Sequence, residues 1–367
     1  MLSKQEIERY SRHLLLNEIG AEGQEKLKQA KVLVIGAGGL GCPVLQYLAA
    51  AGTGTIGIID DDKVEMSNLQ RQILFTEQEL GLNKAQAAKK KLETQNPHIK
   101  IIAHPLHISS VNALDIIKNY EVIIDGSDNF PTRYLINDAC VILNKPLVFG
   151  SIFKFEGQIS VFNYKQGPTY RCLFPKPPKE GEVPNCSEVG VLGVLPGIIG
   201  SLMASEALKI ILEIGTVLSG KLFVLDALSM NNSMISFDRI EANTRIVKLI
   251  DYERFCSPSI ERETTSLLNK EISAAELKRL MDEKSDFQLI DVREKSEFII
   301  SNIKGENIPL GSIENNIDKI AHDRKVVIHC KAGTRSKKAI EILERKYGYT
   351  NLYNLAGGID AWMKAIQ

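Results

Sequence analysis

Asp60-Asp61-Asp62-Lys63-Val64-Glu65-Met66-Ser67-Asn68-Leu69-Gln70-Arg71-Gln72 sets acids, amides and a guanidinium just beyond a short apolar run, Ile56-Gly57-Ile58-Ile59. Upstream lies a glycine-rich stretch, Gly36-Ala37-Gly38-Gly39-Leu40-Gly41. A strand, such a turn and a helix aim backbone N–H groups and a helix N-terminus at phosphate. Asp60 follows Gly41 by 19 residues, where an acid binds ribose hydroxyls in dinucleotide folds. On those residues alone an NAD- or FAD-dependent oxidoreductase fits. Three features point elsewhere. The turn reads Gly-x-Gly-Gly-x-Gly, with an extra glycine. Asn68, Arg71 and Gln72 add polar and cationic groups past the acid, and Lys84 adds another cation. Asp125-Gly126-Ser127-Asp128-Asn129 closes a further apolar run, so Asp128 is a candidate for a Mg²⁺ bridging phosphates. An Arg, a Lys and a Mg-binding Asp serve phosphoryl or nucleotidyl transfer, and hydride transfer needs none of them.

A second constellation lies near the C-terminus. Val326-Val327-Ile328-His329-Cys330 reads as a strand ending in a cysteine, followed by Lys331-Ala332-Gly333-Thr334-Arg335 and a helix from Ser336. A thiolate curled over a helix N-terminus is favoured by backbone N–H groups and nearby cations. Such a nest binds anions. Cysteine phosphatases carry His-Cys-x5-Arg; the spacing here is His-Cys-x4-Arg, and the shorter ring suits a single terminal sulfur better than a phosphate.

The elements that must hold these groups are legible as alternation. Ser3 to Glu6 reads as a capping box opening a short helix. Strands are expected at Lys31 to Ile35, Ile56 to Asp60, Ile99 to Ala103, Glu121 to Asp125 and Leu147 to Gly150, with helices at Leu40 to Ala51 and Lys84 to Thr94. Short apolar strands alternating with helices make a doubly wound, mostly parallel sheet. Further strands are expected at Gln158 to Phe162, Lys221 to Leu225, Met234 to Phe237 and Ile246 to Ile250, with a Pro-rich loop from Phe174 to Pro184 and a long helix near Pro196 to Glu213. The polar stretch 257–270 reads as a linker. A second, smaller α/β domain then opens at another capping-box candidate, Ser273 to Glu276, with strands at Gln288 to Val292 and Lys325 to His329. The domains expected are therefore 1–256 and 271–367.

With 367 residues, 44% hydrophobic and 25% charged, the chain has the composition of a globular protein of about two domains. Lys+Arg and Asp+Glu each number 45, and zero net charge argues against a nucleic-acid partner. The most apolar segment, Val191 to Ile214, is broken by Pro196, Glu206 and Lys209, so no membrane span is expected. The charged N-terminus lacks a signal-peptide core. Six scattered cysteines do not form a disulfide framework, which points to a reducing cytoplasm.

The first 256 residues resemble the MoeB/ThiF family, prokaryotic relatives of ubiquitin-activating enzymes. The resemblance rests on YSRH (10–13), VLVIGAGGLGCPVLQYLAAAG (32–52), IIDDDKVEMSNLQRQ (58–72), GLNKA (81–85), DGSDNFPTRYLINDAC (125–140) and CSEVGVLGVLPGIIGSLMASEALK (186–209). Residues 271–367 resemble rhodanese through DVREKSEF (291–298), NIKGENIPL (302–310), CKAGTRSKKA (330–339) and NLAGGIDAW (354–362). The resemblance implies a Rossmann-like doubly wound sheet of the ThiF/MoeB type followed by a small α/β rhodanese domain.

It also implies site residues. Gly36, Gly38, Gly39, Gly41, Asp60, Ser67, Asn68, Leu69, Gln70, Arg71, Lys84, Asp128 and Asn129 fall at the ATP site, with Asp128 as the Mg²⁺ partner and Arg71 and Lys84 stabilising the α-phosphate. Arg12 matches an arginine that reaches the ATP of the other subunit, which implies a homodimer. Cys330 would carry a persulfide in a loop organised by Arg335. Cys186 matches a cysteine that attacks the acyl-adenylate or resolves an acyl-disulfide. The partners implied are a ubiquitin-like sulfur carrier, MoaD-like (molybdopterin) or ThiS-like (thiamine thiazole), and a persulfide donor such as a cysteine desulfurase. A carrier for tRNA thiolation fits as well. A non-catalytic carrier-binding scaffold is the alternative of another class. Family members often hold zinc with two Cys-x-x-Cys pairs. Here these read Thr169-Tyr170-Arg171-Cys172 and Glu253-Arg254-Phe255-Cys256. Only Cys172 and Cys256 remain, so no structural zinc is expected.

Overall fold

The computed structural model describes residues 1–178, 190–256 and 270–366, the last without its side chain. It divides into two compact units, Met1–Ile260 and Glu261–Gln367.

The first unit is built on eight strands: β1 (Lys31–Ile35), β2 (Thr55–Ile59), β3 (Lys100–His104), β4 (Val122–Asp125), β5 (Leu147–Phe153), β6 (Glu156–Phe162), β7 (Lys221–Asp226) and β8 (Asn232–Ser236). Their order is β3-β2-β1-β4-β5-β6-β7-β8. The first five are parallel; β6, β7 and β8 pair antiparallel. The strands of the parallel half are apolar on both faces because helices cover both. Val32 and Val34 of β1 pack into one core with the helices Gly41–Ala51, Lys84–Gln95 and Leu195–Leu212; Leu33 and Ile35 pack into the other with Ala113–Ile117 and Phe130–Ile142. Each of these side chains, taken from water, contributes about 1.5–3 kcal/mol.

The strand order reverses between β1 and β4, so the loops after them diverge and leave a crevice at the carboxyl ends of the strands. The loops are shaped by their residues. Gly36 has φ +93°, and a Cβ there would sit 2.7 Å from the Gly126 carbonyl oxygen, so the turns after β1 and β4 touch only because both carry glycine. Gly52, at φ +82°, ends the helix Gly41–Ala51. Asn129 caps Phe130–Ile142, its Oδ1 accepting from the Thr132 N–H at 2.9 Å.

One expectation needs correction. Residues 246–250 are not a strand: the sheet ends at β8, and Val247, 87% exposed, has no facing strand to pack against. An apolar run without a ladder partner does not make a strand. The helix Leu195–Leu212, with mean hydropathy 1.5, is long and apolar enough to cross a membrane by length and composition. Here it packs against Gly41–Ala51, β5 and β6, and buried Glu206 accepts from the Leu218 N–H at 2.9 Å. The stretch 257–269 lies outside the described residues, as does most of the Pro-rich loop.

The second unit is a parallel sheet of β9 (Glu271–Ile272), β10 (Phe287–Asp291), β11 (Glu306–Asn307), β12 (Lys325–His329) and β13 (Leu352–Leu355), in the order β11-β10-β12-β13-β9. Ser273 caps the helix Ala274–Asp282 through the Glu276 N–H at 3.1 Å. β12 is the central strand and delivers Cys330 to its carboxyl end.

Candidate functional site

A cavity of about 270 Å³ opens at the switch point of the first sheet. It is lined by Gly36, Gly38 and Gly39 after β1, by Asp60, Asn68, Arg71 and Lys84 after β2, and by Asp128 and Asn129 after β4. Gly41, Ser67, Leu69, Gln70 and Arg12 do not line it. A Cβ on Gly41 would run into the Gly36 carbonyl, so Gly41 lets the turn close on itself. The Ser67 carbonyl accepts from Arg71 Nη1 at 2.9 Å, and Leu69 packs on the core beneath. Gln70 lies against Gly193, and exposed Arg12 sits in the short helix Ser11–Leu14.

The electrostatics are arranged around Asp60. Its Oδ2 accepts from the Ala37 N–H at 2.7 Å and its Oδ1 from the Asp62 N–H at 2.9 Å, so the acid braces the glycine turn. Burial pushes its carboxyl above the usual range, against the pull of the Lys84 charge and the two N–H donors. Lys84 is buried and ion-paired with exposed Asp62 at 2.8 Å. A phosphate entering the cavity exchanges a solvated carboxylate for its own oxygens on Lys84. Asn68 Oδ1 accepts from the Glu65 N–H at 3.1 Å, which fixes the short helix Met66–Asn68. Asp128 is exposed on the cavity wall and makes no hydrogen bond to the described residues, so both oxygens are open to a hard cation. Cys42, behind the turn, donates to the Ala37 carbonyl at 3.4 Å and is pushed up to about 12 by burial, which makes it inert.

The second constellation closes on Cys330, 2% exposed at the end of β12. Its Sγ receives the Gly333 N–H at 3.1 Å and lies 3.5 Å from the Ser336 hydroxyl. Gly333 turns the chain at φ +101°, and the helix begins at Thr334, two residues earlier than the sequence pattern places it. The loop is held from outside. The Ile359 N–H donates to the Cys330 carbonyl at 2.9 Å and the Asp360 N–H to that of Lys331 at 3.1 Å. Arg335 donates both Nη atoms to Glu297, at 2.7 and 2.8 Å, and so ties the loop helix to Lys295–Ile300. The guanidinium holds the Glu297 carboxyl below its usual range. His329 is fully buried, its ring nitrogens make no hydrogen bond among the described residues, Nε2 lies 3.8 Å from Asp291 Oδ2, and burial lowers its basicity against the pull of that carboxylate.

Two family models match. The ThiF family covers residues 10–246 and the rhodanese-like domain residues 273–365. The chain belongs to the ThiF family. It is 44% identical to the probable adenylyltransferase/sulfurtransferase MoeZ of Mycobacterium tuberculosis, over 100% of this chain and 95% of that one. It is 51% identical to the sulfur carrier protein adenylyltransferase of Thermus thermophilus, over 69% of this chain and 98% of that one. The adenylyltransferase and sulfurtransferase MOCS3 of Culex quinquefasciatus is 42% identical, over 100% and 89%. Among solved structures, E. coli MccB superposes with a TM-score of 0.58 over 65% of this chain and 74% of that one, at 24% identity, a likeness of fold. The ThiF-family unit and its rhodanese partner make the chain an enzyme with adenylyltransferase and sulfurtransferase modules, and its first module uses ATP.

Within this ThiF-family unit the Cys172 and Cys256 region is filled by other chemistry. Arg171 Nε and Nη2 each donate to Asp138 at 2.7 Å, and the guanidinium lies 4.9 and 4.8 Å from the ring centres of Tyr134 and Phe255. The Tyr252 hydroxyl donates to Asp138 at 2.7 Å. Cys172 Sγ accepts from the Ile240 N–H at 3.3 Å and lies 3.4 Å from Thr169 Oγ1; burial pushes Cys256 up to about 11. Two thiols beside an arginine are not a tetrahedral zinc donor set.

Cys186 lies outside the described residues. Asp62, His107, Ser127, Thr132, Arg133, Ile152 and Val191 line the cavity without having been assigned a role from the sequence. Asp62 was the recoverable one, since a lysine expected at phosphate needs a resting counter-charge nearby.

Proposed function

We propose that the chain adenylates the C-terminal glycine carboxylate of a ubiquitin-like sulfur carrier and replaces one of its oxygens with sulfur. The carboxylate attacks the α-phosphorus of ATP, pyrophosphate leaves, and an acyl-adenylate forms. A free carboxylate is a poor acyl donor, whereas AMP is a good leaving group. Gly36, Gly38 and Gly39 bring backbone to the nucleotide, Asp60 faces its ribose, and Arg71 and Lys84 neutralise charge growing on the α-phosphate. Asp128 and Asn129 would hold Mg²⁺, which supplies charge neutralisation between phosphates. The observation that carries this reading is the placing of Arg71, Lys84 and Asp128 around one glycine turn in a ThiF-family chain.

Cys330, loaded as a persulfide by a donor such as a cysteine desulfurase, then attacks the acyl-adenylate and expels AMP. A thiol, with Cys186 as one candidate, attacks Cys330 Sγ of the acyl-disulfide, releasing the thiocarboxylate and leaving a disulfide on Cys330, which a second thiol from an external reductant cleaves to free Cys330. Fusion of the two modules raises the effective concentration of persulfide near the adenylate. The relative from Thermus thermophilus, named for a sulfur carrier protein, supports the carrier class. A MoaD-like carrier for molybdopterin is the first choice; ThiS-like or tRNA-thiolation carriers undergo the same chemistry. The enzyme works as a cytoplasmic homodimer, with Arg12 reaching the second subunit's ATP, and without zinc, nucleic acid or membrane. Carrier-dependent exchange of pyrophosphate into ATP tests the first half-reaction; its absence with every carrier would exclude the adenylation.

A further inference from the structure

Arg133 is a cation in the nucleotide cavity with no assigned task. It projects from the first turns of the helix Phe130–Ile142, its guanidinium 5.7 and 5.4 Å from the ring centres of Phe130 and Phe149. Nη2 donates to the Ser127 carbonyl at 3.3 Å, and Nε is buried without a partner. Buried Asp125 feels its charge but makes no hydrogen bond or ion pair with it. Asp125 Oδ1 accepts from the backbone N–H and hydroxyl of Ser127, and its Oδ2 is buried and unpartnered. A guanidinium beside two aromatic rings, with the Tyr170 hydroxyl and the Ser127 carbonyl taking only part of its N–H donors, can receive an oxyanion.

The sheet topology says which oxyanion. The glycine turn follows β1, and Arg71 and Lys84 follow β2, so the donors that would touch phosphate directly lie on one flank of the switch point, while Asp128 on the other would meet phosphate only through Mg²⁺. Arg133 follows β4 on the other flank, where Ile152 of β5 and Val191 give the cavity an apolar wall. That wall suits an acyl chain and offers nothing to a polyphosphate. We propose that Arg133 receives the terminal carboxylate of the carrier and sets it in line with the α-phosphate. This rests on the adenylation reading above. As the carboxylate oxygen bonds to phosphorus and pyrophosphate leaves with the electron pair of the broken P–O bond, the carboxylate loses its charge. Arg133 therefore holds the bound carboxylate at least as strongly as the transition state or the acyl-adenylate, and its removal acts on KM for the carrier more than on kcat.

The test uses the full chain, MoaD-like and ThiS-like carriers ending in Gly-Gly, and pyrophosphate exchange. Arg133→Met keeps the packing between the rings and removes the charge; Arg133→Lys keeps charge and loses the fork. The expected result is a carrier KM raised roughly 10- to 100-fold in Arg133→Met, less in Arg133→Lys, with kcat within about threefold. ATP affinity measured without carrier stays within about twofold, which also shows that the variant is folded. An unchanged carrier KM in Arg133→Met, beside an active wild type, overturns the assignment. So does weakened ATP binding with unchanged carrier KM, which would make Arg133 a phosphate ligand. A wild type inactive with every carrier refutes the adenylation reading itself, an outcome separable from these.

Discussion

Replacing Arg171 by Met removes the charge that pairs with Asp138 next to Cys172, while a similar length of side chain still packs on Tyr134 and Phe255. The change leaves Asp138, 3% exposed, with Tyr252 and Asn137 as its remaining donors, at 2.7 and 2.9 Å. Breaking a buried pair by removing one partner costs about 3–5 kcal/mol. Arg171 keeps 13% of its side-chain exposure and water reaches the gap, so about 2–4 kcal/mol is the better expectation. For a unit of this size that lowers the melting temperature by roughly 5–15 °C. The assay is thermal unfolding followed by circular dichroism, for wild type, Arg171→Met, Asp138→Asn and the double variant, each with and without a zinc chelator. The double variant should be less destabilised than the sum of the singles, because the second change removes the stranded carboxylate. Chelation should leave every curve unmoved, and purified protein should contain less than one equivalent of zinc. An Arg171→Met variant as stable as wild type, or a wild type that carries stoichiometric zinc and melts early on chelation, refutes the reasoning.

The same contacts set further outcomes. Lys84→Ala should lower pyrophosphate exchange by roughly 10²–10³-fold, as loss of one transition-state donor does. Asp62→Ala, which only releases Lys84, should leave exchange within about tenfold. Gly36→Ala forces a Cβ toward the Gly126 carbonyl at a positive φ, at a cost of about 1–3 kcal/mol, and should weaken ATP binding measured by calorimetry. Glu297 has its carboxyl lowered by Arg335, so the pair stabilises fully above the unfolded value and loses that contribution as pH falls through the folded one. Wild type should therefore exceed Glu297→Gln in stability by about 1 kcal/mol at neutral pH, and the gap should close below about pH 4.5 in acid-unfolding curves.

What the sequence made legible was whatever is encoded locally. The glycine turn, the acid after β2 and the Cys330 loop are each contiguous, and their backbone conformations follow from residue type: Gly36 and Gly333 supply the positive φ that their turns need. Strands β1 and β12 fall where the apolar runs place them, because parallel strands covered on both sides must be apolar throughout. The groups missed depend on distant partners. Asp62 matters because Lys84 folds back onto it from 22 residues away, and Arg133 because the rings of Phe130 and Phe149 meet around it. Residues 246–250 carry strand-like residues but find no ladder, since β8 already forms the exposed edge. The incomplete cysteine pairs could be read from the sequence; the Arg171–Asp138–Tyr252 cluster beside them could be read only from the packed structure.

The central claim is that one chain activates a carrier carboxylate and delivers sulfur to it from Cys330. The most direct measurement incubates the full chain with MoaD-like and ThiS-like carriers, ATP, Mg²⁺, a cysteine desulfurase loaded with persulfide and a thiol reductant, and weighs the carrier by mass spectrometry. The account predicts replacement of one carrier oxygen by sulfur with wild type. With Cys330→Ala it predicts undiminished pyrophosphate exchange but no sulfur on the carrier. Sulfur transfer that survives Cys330→Ala undiminished would contradict it.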